Sequence, residues 1–180
     1  MKEHTGAGDR WIPEREYEFI CDRVPILCVD LLPIVAGGER FGLIERDDWA
    51  GRRGLNLIGG AVLLDESLTD AVNRHLLATL GHRVRLETGT LSSVGVYQYF
   101  KTAKPGQLHD PRKNAVSVTY TAVITGVPEP LGEARKFVLF DTGAPPPRQA
   151  FGFDQGTVVY DALRTLSLHA PRLCDVARRA

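Results

Sequence analysis

Residues 109–113, His109-Asp110-Pro111-Arg112-Lys113, set an imidazole, a carboxylate and two cations close together. Arginine is shaped for phosphate, and loops held by a rigid sheet are where substrate groups are met. On that reading His109 is a candidate general base, and Asp110, Arg112 and Lys113 are candidate substrate contacts. Asp-Pro is itself a turn signal, so a solvated turn explains the segment equally well. Arg46, Arg52 and Arg53 lie near Trp49, which suits clamping a phosphate and stacking a base, or simply a charged surface loop. Glu66 and Arg74, eight residues apart, suit an ion pair better than a catalytic pair. Cys21, Cys28 and Cys174 are odd in number and lack CxxC spacing, which favours reduced thiols over a disulfide framework or zinc ribbon.

The elements that must position these groups follow from periodicity. Pro13 and the acids after it suit a helix over 13–23. The near-continuous apolar run 26–35 predicts a strand buried on both faces, and 40–46 is its hairpin partner after the turn at Gly37-Gly38. A charged loop fills 47–54. From Asp65, a plausible N-cap, Leu68, Ala71, Val72, Leu76 and Leu80 form one apolar stripe, and Gly81 is a plausible stop. Strands are expected within 83–102, across 116–122 and at 137–140, with a proline-rich loop at 141–148 and a helix over 156–168. The order implies an α+β fold, a mixed-sheet sandwich. One domain at 11–170 is expected, between a disordered tail at 1–10 and a C-terminal tail at 171–180.

Composition narrows the class. At 180 residues, roughly one domain is expected, and 43% hydrophobic with 24% charged residues excludes a mainly disordered chain. Lys+Arg and Asp+Glu are both 22, so the basic excess that drives nucleic-acid binding is missing. The apolar stretch from Val24 falls short of the roughly 20 residues a spanning helix needs, and no signal segment precedes it. A cytoplasmic protein with neither membrane nor nucleic-acid partner is the expectation.

Gly59 to Gly81 reads GGAVLLDESLTDAVNRHLLATLG. It resembles the signature of the Nudix hydrolases, G-x5-E-x7-R-E-U-x-E-E-x-G-U, with Gly60, Glu66, Arg74, Leu76 and Gly81 in register. The resemblance implies a Nudix-type α/β/α sandwich with a central mixed β-sheet. It also implies a loop, Gly59 and Gly60, whose backbone approaches a diphosphate, and Mg²⁺ or Mn²⁺ held by helix carboxylates. Those carboxylate positions carry His75, Ala78 and Thr79 instead. Any metal would then rest on the Gly60 carbonyl and His75, although imidazole is a poor ligand for Mg²⁺. Residues 11–30 resemble the opening of the GDP-mannose mannosyl hydrolase branch, with Pro25 and Asp30 matching its P-x-x-x-x-D strand. That branch's loop arginine is replaced by Ala61, and no His lies in 141–155. Asp110-Pro111-Arg112 resembles the "DPR" segment of relatives acting on ADP-ribose-like substrates. Phe153-Asp154-Gln155 resembles a closing "F-D-H", with Gln155 in place of His.

Three functions compete on these residues. The leading one is a hydrolase of a nucleoside diphosphate linked to another group, such as a nucleotide sugar. Its catalytic candidates are His109, His75 and Glu66, and its substrate contacts Arg46, Arg52, Gly59, Gly60, Asp110, Arg112 and Lys113; Arg74 and Asp65 are structural. The second is a nucleotide-binding regulatory domain without turnover, favoured by the replacements at 75, 78 and 79. The third is metal-free chemistry on another substrate in the same cleft. A homodimer is implied by the resemblance only.

Overall fold

The computed structural model describes residues 12–35, 37–48 and 50–176; the tail 1–10 and Trp49 lie outside the described residues. Chain order runs α1 (Glu14–Cys21), β1 (Ile26–Val35), β2 (Arg40–Asp47), β3 (Arg53–Asn56), β4 (Ile58–Ala61), α2 (Leu68–Leu80), β5 (Val84–Leu86), β6 (Ser92–Phe100), β7 (Leu108–His109), β8 (Ala115–Gly126), β9 (Lys136–Asp141) and α3 (Gly156–Val176). Short 3-10 turns at Arg148–Ala150 and Gly152–Asp154 lead into α3. The strands join in one mixed sheet, so the α+β class expected from the sequence is the class observed.

β1 is the spine. It runs parallel to β8 from Ile26 opposite Ala115 to Val35 opposite Ile124, and antiparallel to β2 and β4. Successive strand side chains point to opposite faces, and both faces of β1 are covered, hence its unbroken apolar run. Val29 and Leu31 join Ala71, Val72, Leu76 and Leu80 of α2 in one buried cluster. Cys28, Leu32 and Ile34 join Val158, Val159, Ala162 and Leu163 of α3 in the other. The sheet therefore lies between α2 and α3.

The N-cap of α2 is Ser67, whose side chain accepts from the Asp70 amide at 3.1 Å. Asp65, the expected cap, stands earlier in the connecting turn with φ 56, a conformation aspartate tolerates better than most residues. Gly81 closes the helix as expected, at φ 80, its amide donating to the Leu77 carbonyl. The 47–54 loop is shorter than expected because Arg53 already pairs with Asp47. α3 continues past Leu168 to Val176. No described helix is long and apolar enough to cross a membrane.

Candidate functional site

Asp30 is the one charged residue in β1, and it is only 7% exposed. It lies in register with Gly59 of β4 on one side and Thr119 of β8 on the other. Glycine is required at 59 by close approach, since a Cβ there would sit 2.1 Å from the Val29 carbonyl oxygen and 2.6 Å from Asp30 Oδ1. Ser117 Oγ donates to Asp30 Oδ2 at 2.6 Å. Burial raises the Asp30 pKa above the ordinary carboxylate value, against the opposing pull of Ser117, Arg46 and Lys113.

Beside Asp30 opens a cavity of about 180 Å³ with a cationic wall. Arg112 forms a forked pair with Asp110, Nε to Oδ1 and Nη2 to Oδ2, both at 2.9 Å. Arg46 pairs with Glu133 at the rim. Lys113 Nζ donates to the Tyr17 hydroxyl at 2.8 Å, so α1 helps to hold it. The guanidinium carbons of Arg46 and Arg112 stand 5.0 and 4.6 Å from the centre of the Phe153 ring. Phe153 and Asp154 take φ of 54 and 57, consecutive left-handed residues without a glycine. Such backbone costs of order 1–3 kcal/mol per residue, and here it sets an aromatic face against two cations.

Two buried polar atoms in this cavity's lining residues, Arg46 Nε and the Tyr99 hydroxyl, have no hydrogen-bond partner among the described residues. Gln155 stands near Tyr99 and partly offsets the rise that burial gives the phenol pKa, while its Oε1 accepts from the Leu57 amide at 2.9 Å. Buried polar groups are almost always satisfied, so these orphans await a ligand or water.

The residues singled out from the sequence divide among three places. Arg46, Gly59, Gly60, Asp110, Arg112 and Lys113 line the first cavity. His109 and Arg52 line a neighbouring one of about 280 Å³, which shares Phe153 as a wall. Arg52 is there paired with Asp48. Glu66, Arg74 and His75 form the joint between the β4 loop and α2. Sequence reasoning marked Asp30 as a motif match and Phe153 as part of the closing element, neither as a site residue. Tyr99 carries no signal beyond its place in an alternating strand.

At the joint, Glu66 accepts from Arg74 Nε at 2.6 Å, Arg74 Nη2 at 2.8 Å and the Leu63 amide at 2.9 Å. The Arg74 hydrogen bonds lower the Glu66 pKa to about 2. The Ala61 carbonyl receives Arg74 Nη2 at 2.9 Å and faces His75 Nε2 at 3.1 Å, which assigns the proton to Nε2. Burial lowers the His75 pKa, so the ring is neutral near pH 7. The ring also fills the space over Gly60, where a Cβ would lie 2.7 Å from His75 Cε1.

Hard divalent cations take oxygen ligands. The face of α2 offers instead a neutral imidazole engaged with a carbonyl, the methyl of Ala78 and the buried Thr79. No group of three His, Cys, Asp or Glu side chains among the described residues could hold a metal. These residues do not fit an ion held by α2.

Because the folded pKa of Glu66 is depressed, its contribution is fully present above the unfolded value near 4.3 and is lost as pH falls toward 2. Glu66→Gln is expected to cost about 1–3 kcal/mol at pH 7. Thermal melts from pH 7 to pH 2 check this: the gap between variant and wild type should close at the acid end.

A family model described as "Domain of unknown function (DUF4916)" matches residues 7–163. A curated relative, the low-salt glycan biosynthesis protein Agl8 of Haloferax volcanii, is 35% identical over 89 residues, covering 49% of this chain and 53% of its own. The match thus spans about half of that relative's length. Among solved structures, a possible asymmetric diadenosine tetraphosphate hydrolase from Jonesia denitrificans superposes with TM-score 0.69 at 24% identity, covering 79% of this chain and 94% of that one. A MutT/nudix family protein from Enterococcus faecalis gives 0.64 at 18%, covering 88% and 76%. The NUDIX domain of Shewanella oneidensis NrtR, complexed with ADP ribose, gives 0.59 at 18%, covering 86% and 99%. At these identities the likeness establishes the fold, and that fold is Nudix-type.

Proposed function

Because the chain belongs to the family described as Domain of unknown function (DUF4916) and has a Nudix-type fold, we propose that it hydrolyses a nucleotide-like small molecule. The substrate class is a nucleoside diphosphate joined to a sugar or similar group, cleaved at the glycosyl-phosphate or diphosphate bond. The observation that carries this reading is the cavity under Gly59, where a cationic wall faces a buried carboxylate. The glycan biosynthesis role in the name of the Agl8 relative and the ADP ribose bound to the NrtR domain point to the same ligand class.

In this reading Arg46, Arg112 and Lys113 hold the diphosphate and offset the charge that grows on it as the bond breaks. Asp30 takes a proton from the attacking water. Its raised pKa moves it toward the operating pH, where a base works best, and Ser117 fixes its orientation. The Tyr99 hydroxyl, buried and unpartnered, can donate to an oxygen of the leaving group. The rest of the ligand extends past Phe153 into the second cavity, toward His109 and Arg52. His109 and His75 both lie off the first cavity's lining, which favours Asp30 as the base. His109→Ala is accordingly expected to raise KM while leaving kcat within about threefold, the pattern of a contact that binds ground and transition states alike.

A second reading is binding without turnover, favoured by an α2 face unfit for a metal. The deciding experiment is a product-detecting screen of nucleoside diphosphate sugars, ADP-ribose and dinucleotides, with Mg²⁺, with Mn²⁺ and with chelator. Turnover of any member establishes the hydrolase; saturable binding without product establishes the second reading.

A further inference from the structure

We infer that this chain binds the diphosphate of its ligand without a divalent cation, using Arg46, Arg112 and Lys113, while side chains lock the loop to α2. The inference rests on the ligand class proposed above and adds the means of charge neutralisation.

The joint leaves little for a cation. Each Glu66 oxygen accepts from Arg74, and Oε2 also takes the Leu63 amide. The Ala61 carbonyl accepts from Arg74 and from His75. The imidazole occupies the space over Gly60, so an ion approaching that backbone would have to expel a half-buried ring. Two of the cavity's carboxylates are committed as well, Asp110 to Arg112 and Glu133 to Arg46, while Asp30 holds Ser117 through Oδ2 alone.

The cavity's unmet demand is of the opposite kind. Its unpartnered buried atoms are the Arg46 Nε–H and the Tyr99 hydroxyl, and Lys113, an ammonium with three N–H groups, reaches the same wall while donating to Tyr17. Donors on a cationic wall are satisfied by anionic oxygens, through hydrogen bonds that are shorter and stronger than neutral ones. A divalent cation in the same place would meet fixed positive charges, with Asp30 the single lining carboxylate not paired to an arginine.

The test is calorimetric titration of inorganic pyrophosphate into the full chain, in chelator and in Mg²⁺, with Mn²⁺ titrated alone as a separate arm. Affinity in chelator should match that in Mg²⁺ within about twofold, and Mn²⁺ alone should show no stoichiometric binding. Arg46→Gln and Lys113→Met, each first shown by thermal melting to fold, should weaken pyrophosphate at least about tenfold in chelator. Pyrophosphate binding that needs Mg²⁺, stoichiometric Mn²⁺ binding, or no pyrophosphate binding in any arm would overturn the inference. Metal-free pyrophosphate binding without turnover in the substrate screen overturns only the hydrolase reading.

Discussion

Asp30→Asn is expected to lower turnover by about 10²–10⁴-fold while making the protein more stable at neutral pH. Asparagine keeps the shape and can still accept from Ser117, so the fold around β1 is retained. What disappears is the group that takes the proton. The stability gain follows from linkage. Burial holds the Asp30 pKa above its unfolded value, so the folded state binds that proton more tightly. Burying the carboxylate therefore costs nothing below the unfolded pKa. The cost appears as pH rises from the unfolded pKa through the raised folded one. The variant is expected to melt a few degrees higher at pH 7, with about 2–4 °C for each kcal/mol recovered, and the difference should vanish below about pH 4. A residue that merely packed would show the opposite: turnover little changed and a lower melting temperature. Paired pH series of kcat and melting temperature separate the two.

Arg46→Gln is expected to raise substrate KM about 10–150-fold, the equivalent of 1.5–3 kcal/mol for a charge-assisted hydrogen bond. The side chain spans the site, pairing with Glu133 at the rim, facing Phe153, and holding its Nε buried without a partner. An unpartnered donor adds nothing to stability before ligand arrives, so the loss should appear in ligand binding far more than in the melt. Arg83→Gln is the control, since that arginine is exposed, paired with Glu129 and outside the lining of both cavities. Its KM should move by no more than about threefold. Equal effects at 46 and 83 would remove the first cavity from its central role.

Much of the fold was legible because its period was written in the chain. The run Ile26–Val35 reads as a strand covered on both faces, and the stripe Leu68, Ala71, Val72, Leu76 and Leu80 as a helix packed on one side, and both are found so. The cap was misread because Asp65 and Ser67 are both good N-caps, and only the turn geometry chooses between them. The Glu66–Arg74 spacing was readable for the same reason as the stripe: both residues belong to one loop and helix.

The site was legible only in fragments. His109, Asp110, Arg112 and Lys113 lie within five residues, yet His109 lines one cavity while Asp110, Arg112 and Lys113 line another. Periodicity, capping and glycine spacing are local, and the chain alone determined the elements, their order and the residue types available for binding. Which groups share a cavity depends on sheet register: β1 beside β8 brings Asp30 to Ser117, and β4 against β1 brings Gly59 to Asp30. The first of these pairings joins residues 87 positions apart, as in the Ser117–Asp30 hydrogen bond. Burial of Asp30 and the Arg46–Phe153–Arg112 stack exist only once distant segments exclude water together, so only the tertiary structure could decide them.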